Sequence, residues 1–203
     1  MSTMPSGGLP ARLTLRDPAE THALGVRLAA VLRAGDLVVL AGGLGAGKTT
    51  LTQGIGEGLG VRGPITSPTF VIARAHPSLV GGPGLVHADA YRLGGIDELD
   101  TLDLDTTLEE SVTVVEWGHG LAEDLAESYL EVSLSGETER TAVVEAYGQR
   151  WAGAAGRRLA EAVAGDAAWG GAGGAAGESA GESAGESAWR AGAAEEAAGS
   201  APG

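Results

Sequence analysis

The sequence predicts an α/β domain, with a sheet parallel near its centre and antiparallel toward its edges and helices on both faces. Three observations predict it. An apolar run, Leu37 to Ala41, passes through a glycine-rich stretch into a segment of helical spacing. Short apolar runs alternate with helix-compatible segments along most of the chain. Two pairs of alternating runs are separated by turn residues, the mark of antiparallel hairpins.

The elements follow in order. Leu13 and Leu15 alternate with polar residues as a short strand does. Asp17 or Thr21 is placed to cap a first helix, on which Leu24, Leu28, Val31 and Leu32 share a face. Gly35-Asp36 stops it before the strand Leu37 to Ala41. After the glycine loop, Leu51, Ile55 and Leu59 line one side of a second helix. Gly60 to Pro68 is a loop carrying Thr66 and Ser67, with Thr69 just beyond it. Phe70 to Ala75 and Leu85 to Tyr91 read as a hairpin around the turn-rich Pro77 to Gly84. Its second strand carries His87, Asp89 and Tyr91 on one face, because strand side chains alternate with period two.

Residues 95 to 111 are acidic with short apolar spacings and predict one or two short helices. Val112 to Val115 is a buried strand ending in Glu116-Trp117, and Leu121 to Glu127 a short helix. Tyr129 to Leu134 and Thr141 to Tyr147 form the second hairpin, turning at Ser135-Gly136-Glu137. Trp151 to Val163 is a last helix, with Leu159 and Val163 on one side. This places one domain at residues 13–164, between a flexible N-terminus, 1–12, and a disordered tail, 165–203. In the tail, composition collapses to Gly, Ala, Glu and Ser, with GESA three times in succession, and too little apolar surface to offset the entropy of ordering.

Composition excludes several functions. There is no cysteine, hence no disulfide and no thiolate metal site. No apolar run reaches spanning length and the N-terminus lacks an apolar h-region, so the expectation is a cytoplasmic protein without membrane contact. A formal net charge of −14 argues against independent grip on a nucleic-acid backbone.

Gly42 to Thr50, GGLGAGKTT, holds the Walker A pattern between strand and helix. Glycines let the backbone curl so that successive amides face phosphate oxygens, and the following helix adds the positive end of its dipole. Lys48 brings a mobile charge to the β and γ phosphates, and the Thr49 hydroxyl offers oxygen to Mg2+. Lysine and arginine together number 13, and Lys48 is the one lysine among them. A chain that otherwise uses arginine uses lysine where this loop requires it. The fold class sharpens to a P-loop NTPase-like three-layer domain with a mixed parallel/antiparallel sheet.

Such a loop needs a second metal anchor at the end of a neighbouring strand. Glu116, after Val112, Val114 and Val115, fits. Asp89 is a second carboxylate, suited to orienting water or to magnesium's outer shell. Thr66, Ser67 and Thr69 suit either a switch loop or a Ser/Thr turn, and Trp117 a lid, a partner contact or core. His22, His76 and His119 show no ligand spacing. An N-K-x-D guanine motif would need a second lysine, and no lid arginine lies between Arg92 and Arg140. Both absences favour an ATPase using water as acceptor over a GTPase or a small P-loop kinase.

The series LAGGLGAGKTT, TSPTF, HADAYR and VVEWG, in this order, resembles the TsaE (formerly YjeE) family of bacterial tRNA threonylcarbamoyladenosine biosynthesis. The resemblance covers roughly Leu13 to Tyr147. It implies an ATP-hydrolysing accessory subunit, weak alone, that works with the TsaB and TsaD proteins and meets tRNA only through them. It implies a nucleotide loop at Leu44, Gly45, Ala46, Gly47, Lys48 and Thr49, metal ligands at Thr49 and Glu116, and a motif acid at Asp89. It further implies nucleotide contacts near Asp17 and Arg140. Lys48, Asp89 and Glu116 would be the catalytic set. The chain departs from the family pattern at Gly43, where Asp is common, at Phe70, where Tyr is frequent, and at Ala88 and Ala90, where side chains are larger. Gly43 keeps a second reading open: a nucleotide-dependent binding module that hydrolyses negligibly.

Overall fold

The computed structural model describes residues 10–67, 73–89, 109–117 and 126–165, all within one compact unit. In chain order these are β1 (Ala11–Leu15), α1 (Pro18–Ala29), β2 (Leu37–Ala41), α2 (Lys48–Leu59), β3 (Ala73–His76), β4 (Gly84–Asp89), β5 (Ser111–Glu116), β6 (Tyr129–Ser135) and β7 (Arg140–Tyr147). A 3-10 turn (Gln149–Trp151) and α3 (Ala154–Ala164) follow. The first strand starts at Ala11, two residues before the expected Leu13. The expected last helix divides into the 3-10 turn and α3.

The seven strands form one sheet in the order β1-β7-β6-β2-β5-β4-β3. β2 runs parallel to both of its neighbours, and β4 parallel to β5. The outer pairings, β3 with β4, β6 with β7 and β1 with β7, are antiparallel. The α/β class and the mixed sheet therefore follow the sequence pattern. β2 reads as an unbroken apolar run because both its faces are covered, which is the rule for a central parallel strand.

Val38 and Leu40 face a large core that includes Leu24 and Leu28 of α1, Leu51 and Ile55 of α2, and Leu159 and Val163 of α3. Leu37 and Val39 face a smaller cluster with Ala88, Val115 and Tyr129. All three described helices thus pack on one face. Most of the two further stretches expected to be helical, 95–111 and 121–127, lies outside the described residues, as do Phe70, Ala90, Tyr91, His119, the N-terminal residues 1–9 and the tail from 166. No helix among the described residues is long and apolar enough to cross a membrane.

Two contacts fix the frame. Asp36, expected only as a turn residue, is buried and accepts two hydrogen bonds of 2.9 Å from Arg150. Arg150 also donates to the Val31 carbonyl, tying the C-terminal turn to the end of α1. α1 and α2 approach each other backbone to backbone through Gly25 and Gly54: a Cβ on Gly54 would meet the His22 carbonyl, and one on Gly25 the Leu51 carbonyl.

Gly54→Ala sets two effects against each other. Helix propensity favours alanine by about 1 kcal/mol, whereas a methyl wedged against a rigid backbone costs about 1–3 kcal/mol or more. The expected result is a net loss of about 1–2 kcal/mol, read as a melting temperature several degrees lower. Gly82→Ala, where the nearest atom is 3.9 Å away, should leave it unchanged. A higher melting temperature for Gly54→Ala would contradict the close crossing.

Candidate functional site

The parallel strands β2, β5 and β4 all end on one side of the sheet, where ligands of open α/β folds bind. Leu40 stands beside Glu116, and Glu116 beside Asp89, in register. Between β2 and α2 the glycine loop turns through Gly47 at φ 104°, a conformation closed to most side chains. Gly47 also leaves room for Arg140, whose Nε would lie 3.3 Å from an added Cβ. Together these elements line a cavity of about 700 Å³, formed by Leu44, Gly45, Ala46, Gly47, Lys48, Thr49, Thr50, Ser67, Asp89, Glu116, Trp117 and Arg140.

Its charges are held by the backbone. The Lys48 ammonium donates to the carbonyls of Gly42 (2.8 Å) and Gly43 (2.9 Å) and lies 4.1 Å from the centre of the Trp117 ring. Trp117 has φ 61°, unusual for a non-glycine residue and worth about 1–3 kcal/mol of strain. Its amide donates to the Leu40 carbonyl, so the strained turn is anchored to β2. Burial holds the Lys48 pKa below the usual lysine value, against the opposing pull of Glu116 and Asp89. The site therefore carries a desolvated cation whose charge an entering polyanion would stabilise. From the other side, the Arg140 guanidinium clamps the loop through the carbonyls of Ala46 (2.9 Å) and Gly45 (3.3 Å).

Thr49 Oγ1 donates to Glu116 Oε1 across 3.1 Å. With its hydrogen directed at the carboxylate, the hydroxyl turns its lone pairs elsewhere, as a metal ligand must. Among the described residues no group of three or more His, Asp and Glu side chains could hold a metal ion by itself. One hydroxyl and two carboxylates at the mouth of the glycine loop are hard oxygen donors of the kind that suit a magnesium ion completing its shell with other oxygens.

The family model described as "Threonylcarbamoyl adenosine biosynthesis protein TsaE" matches residues 15–143. The chain belongs to the TsaE family. A Streptomyces coelicolor relative named "tRNA threonylcarbamoyladenosine biosynthesis protein TsaE" is 62% identical over 136 residues, covering 64% of this chain and 92% of the relative. A Bacillus subtilis relative of the same name is 38% identical, over 66% of this chain and 85% of its own length. The crystal structure of Bacillus subtilis YdiB is similar with a TM-score of 0.57 and 32% identity, covering 78% of this chain and 97% of that one.

Against this TsaE-family frame, the residues expected at the site sort clearly. Leu44 to Thr49, Asp89, Glu116 and Arg140 line one cavity. Asp17 is not among them. Its carboxylate caps α1 by accepting from the Glu20 amide at 2.8 Å. Ser67 reaches the cavity, whereas the Thr66 hydroxyl accepts from Arg74, and Thr69 lies outside the described residues. His87, which carries no role in the motifs above, donates to Glu116 Oε1 at 2.9 Å. The period-two face shared by His87 and Asp89 was the available signal. Nothing in the sequence marks the left-handed turn at Trp117.

A capping role for Asp17 has a measurable consequence. Asp17→Ala should lower stability by about 1 kcal/mol, and Asp17→Asn, which keeps the acceptor, should restore most of it in a denaturant titration. Equal losses in both variants would point away from the cap.

Proposed function

We propose that this chain is an Mg2+-dependent ATPase that serves as an accessory subunit in forming threonylcarbamoyladenosine on tRNA, working with TsaB and TsaD. The observation that carries the reading is the contact between the loop-helix hydroxyl and the strand-end acid, Thr49 with Glu116, inside a cavity that also holds Lys48. A shared metal post and a charged loop are what a triphosphate requires. The family name and the names of the relatives support the pathway, and the comparisons cover the site-bearing part of the chain.

In this reading the loop amides and the α2 N-terminus receive the phosphates. Lys48 exchanges its two carbonyl partners for phosphate oxygens, a gain for an ammonium that burial penalises where it now sits. Thr49 and Glu116 would hold magnesium, whose charge would offset that of the phosphates. Asp89, beside Glu116 in the sheet, accepts a hydrogen bond from the attacking water and orients it. Arg140 keeps the loop from opening. The formal net charge of −14 leaves tRNA to other subunits. Cytoplasmic residence belongs to the same proposal.

A second reading has one observation behind it. Gly43 stands where the family resemblance leads to Asp, and the space around it is open, with nothing within 4 Å of an added Cβ. A chain lacking that carboxylate could hold ATP and switch shape while hydrolysing negligibly.

The test is ATP turnover of the purified chain with and without TsaB and TsaD. Addition of the two proteins should raise turnover, and Lys48→Ala should lower the stimulated rate about 100-fold or more. A stimulated rate untouched by Lys48→Ala would refute the assignment. Asp89→Asn separates the two readings: hydrolysis should fall about 100-fold, and tRNA modification by the mixture should fall with it. Full modification without hydrolysis would favour the binding module.

A further inference from the structure

Among the polar groups buried beneath the cavity, His87 has no role in the proposed function. It lies in β4 one residue pair below Asp89 and is fully buried at 0% exposure. In the sheet it stands beside Val114, on the face that α2 covers. Its Nε2 is 2.9 Å from Glu116 Oε1, the oxygen that also accepts from Thr49. A carboxylate only accepts, so Nε2 carries the hydrogen. The other ring nitrogen, Nδ1, is buried without a hydrogen-bond partner among the described residues.

That pattern is a poor solution for stability alone. An orphaned buried nitrogen costs free energy that a leucine of similar size in the same place would not incur. The surroundings are apolar enough to accept one: Leu85 and Val114 on the same face are fully buried. What histidine supplies and leucine cannot is a rigid N–H aimed from below at Glu116. Two donors on one oxygen, from β4 and from α2, hold Oε1 of the carboxylate in place from two directions. Glu116 is itself only 4% exposed, so water is a poor substitute for either donor.

We propose that His87 is a positioning residue that orients Glu116 as a ligand for the magnesium of a bound nucleotide. The proposal rests on the nucleotide reading of the site. It acts through geometry: outer partners of ligating carboxylates hold them at the angle the cation needs, and their loss typically weakens metal affinity about 10–100-fold.

The test measures ADP binding to the full chain by calorimetry, once with Mg2+ and once with a chelator. The ratio of the two dissociation constants reports how much magnesium tightens binding. Three variants probe the donor. His87→Leu removes it. His87→Asn places an amide near Nδ1, too short to reach Glu116. His87→Gln places its amide nitrogen near the position of Nε2. His87→Leu and His87→Asn should cut the magnesium-dependent tightening about tenfold while leaving the affinity measured with chelator within twofold. His87→Gln should retain most of the tightening. If His87→Leu fails to fold, the contrast between His87→Asn and His87→Gln decides alone. Undiminished tightening in a folded His87→Asn or His87→Leu overturns the proposal, and so does an equal loss with and without magnesium, which marks a general packing defect. A wild-type chain that binds ADP without regard to magnesium overturns both this inference and the metal site of the proposed function. A wild-type chain with strong tightening that survives every substitution at His87 overturns only this inference.

Discussion

The site exists because two strands hold one register. β2 and β5 pair in parallel with Leu40 opposite Glu116, so the loop leaving β2 and the acid ending β5 emerge at the same level. A shift by one residue would turn Glu116 to the opposite face of the sheet, away from α2. With the register as it is, a hydroxyl at the start of α2 meets a carboxylate 67 residues further along the chain. The register is in turn set by burial. Val112 and Val114 of β5 face the core under the helices, and a slip of that strand by one residue would put Ser111 and Thr113 there instead.

Around that contact a buried ammonium is held within reach of several weaker partners. Lys48 sits among carbonyl dipoles, an aromatic face and two carboxylates, all of which attract it, yet burial still prevails and its pKa falls. The arrangement keeps the ammonium close without satisfying it fully. Trp117 contributes from a strained turn, and its anchoring amide on the Leu40 carbonyl returns to the same β2–β5 seam that aligns Glu116. The strain at Trp117 and the register of Glu116 are therefore properties of one junction.

Much of this was legible in the sequence, for reasons particular residues show. Leu37 to Ala41 could only be a central strand, because a run without polar alternation must be covered on both faces. Glycine spacing and a single lysine marked the loop, and the valines before Glu116 marked its strand. Long-range pairings were not legible. Asp36 read as a turn because its partner, Arg150, lies 114 residues away. Asp17 fits both a cap and a ligand contact by residue type, and the cap depends on where the Glu20 amide lies, which residue type alone does not say. His87 could be placed on the face of Asp89 by counting, but which oxygen it meets depends on the height of β5 beside β4, which no local pattern encodes.

Height also explains why glycine recurs where helix propensity would resist it. α2 carries Gly54, Gly56 and Gly58 in its interior, each costing about 1 kcal/mol relative to alanine. Two of them face α1: added methyls at Gly54 and Gly58 would strike the His22 carbonyl and the Ala29 side chain, while one at Gly56 would strike Ile65. The helix is therefore seated deeply, against α1 on one flank and the Ile65 loop on another. A methyl-sized spacer would lift α2 by an ångström or more, roughly the margin that separates a hydrogen bond from a mere proximity. Thr49 stands in the first turn of that helix, and its 3.1 Å contact with Glu116 has little room to lengthen. The glycines in α2 thus weaken the helix as a helix and set it at the level where its first turn meets the sheet's acidic end.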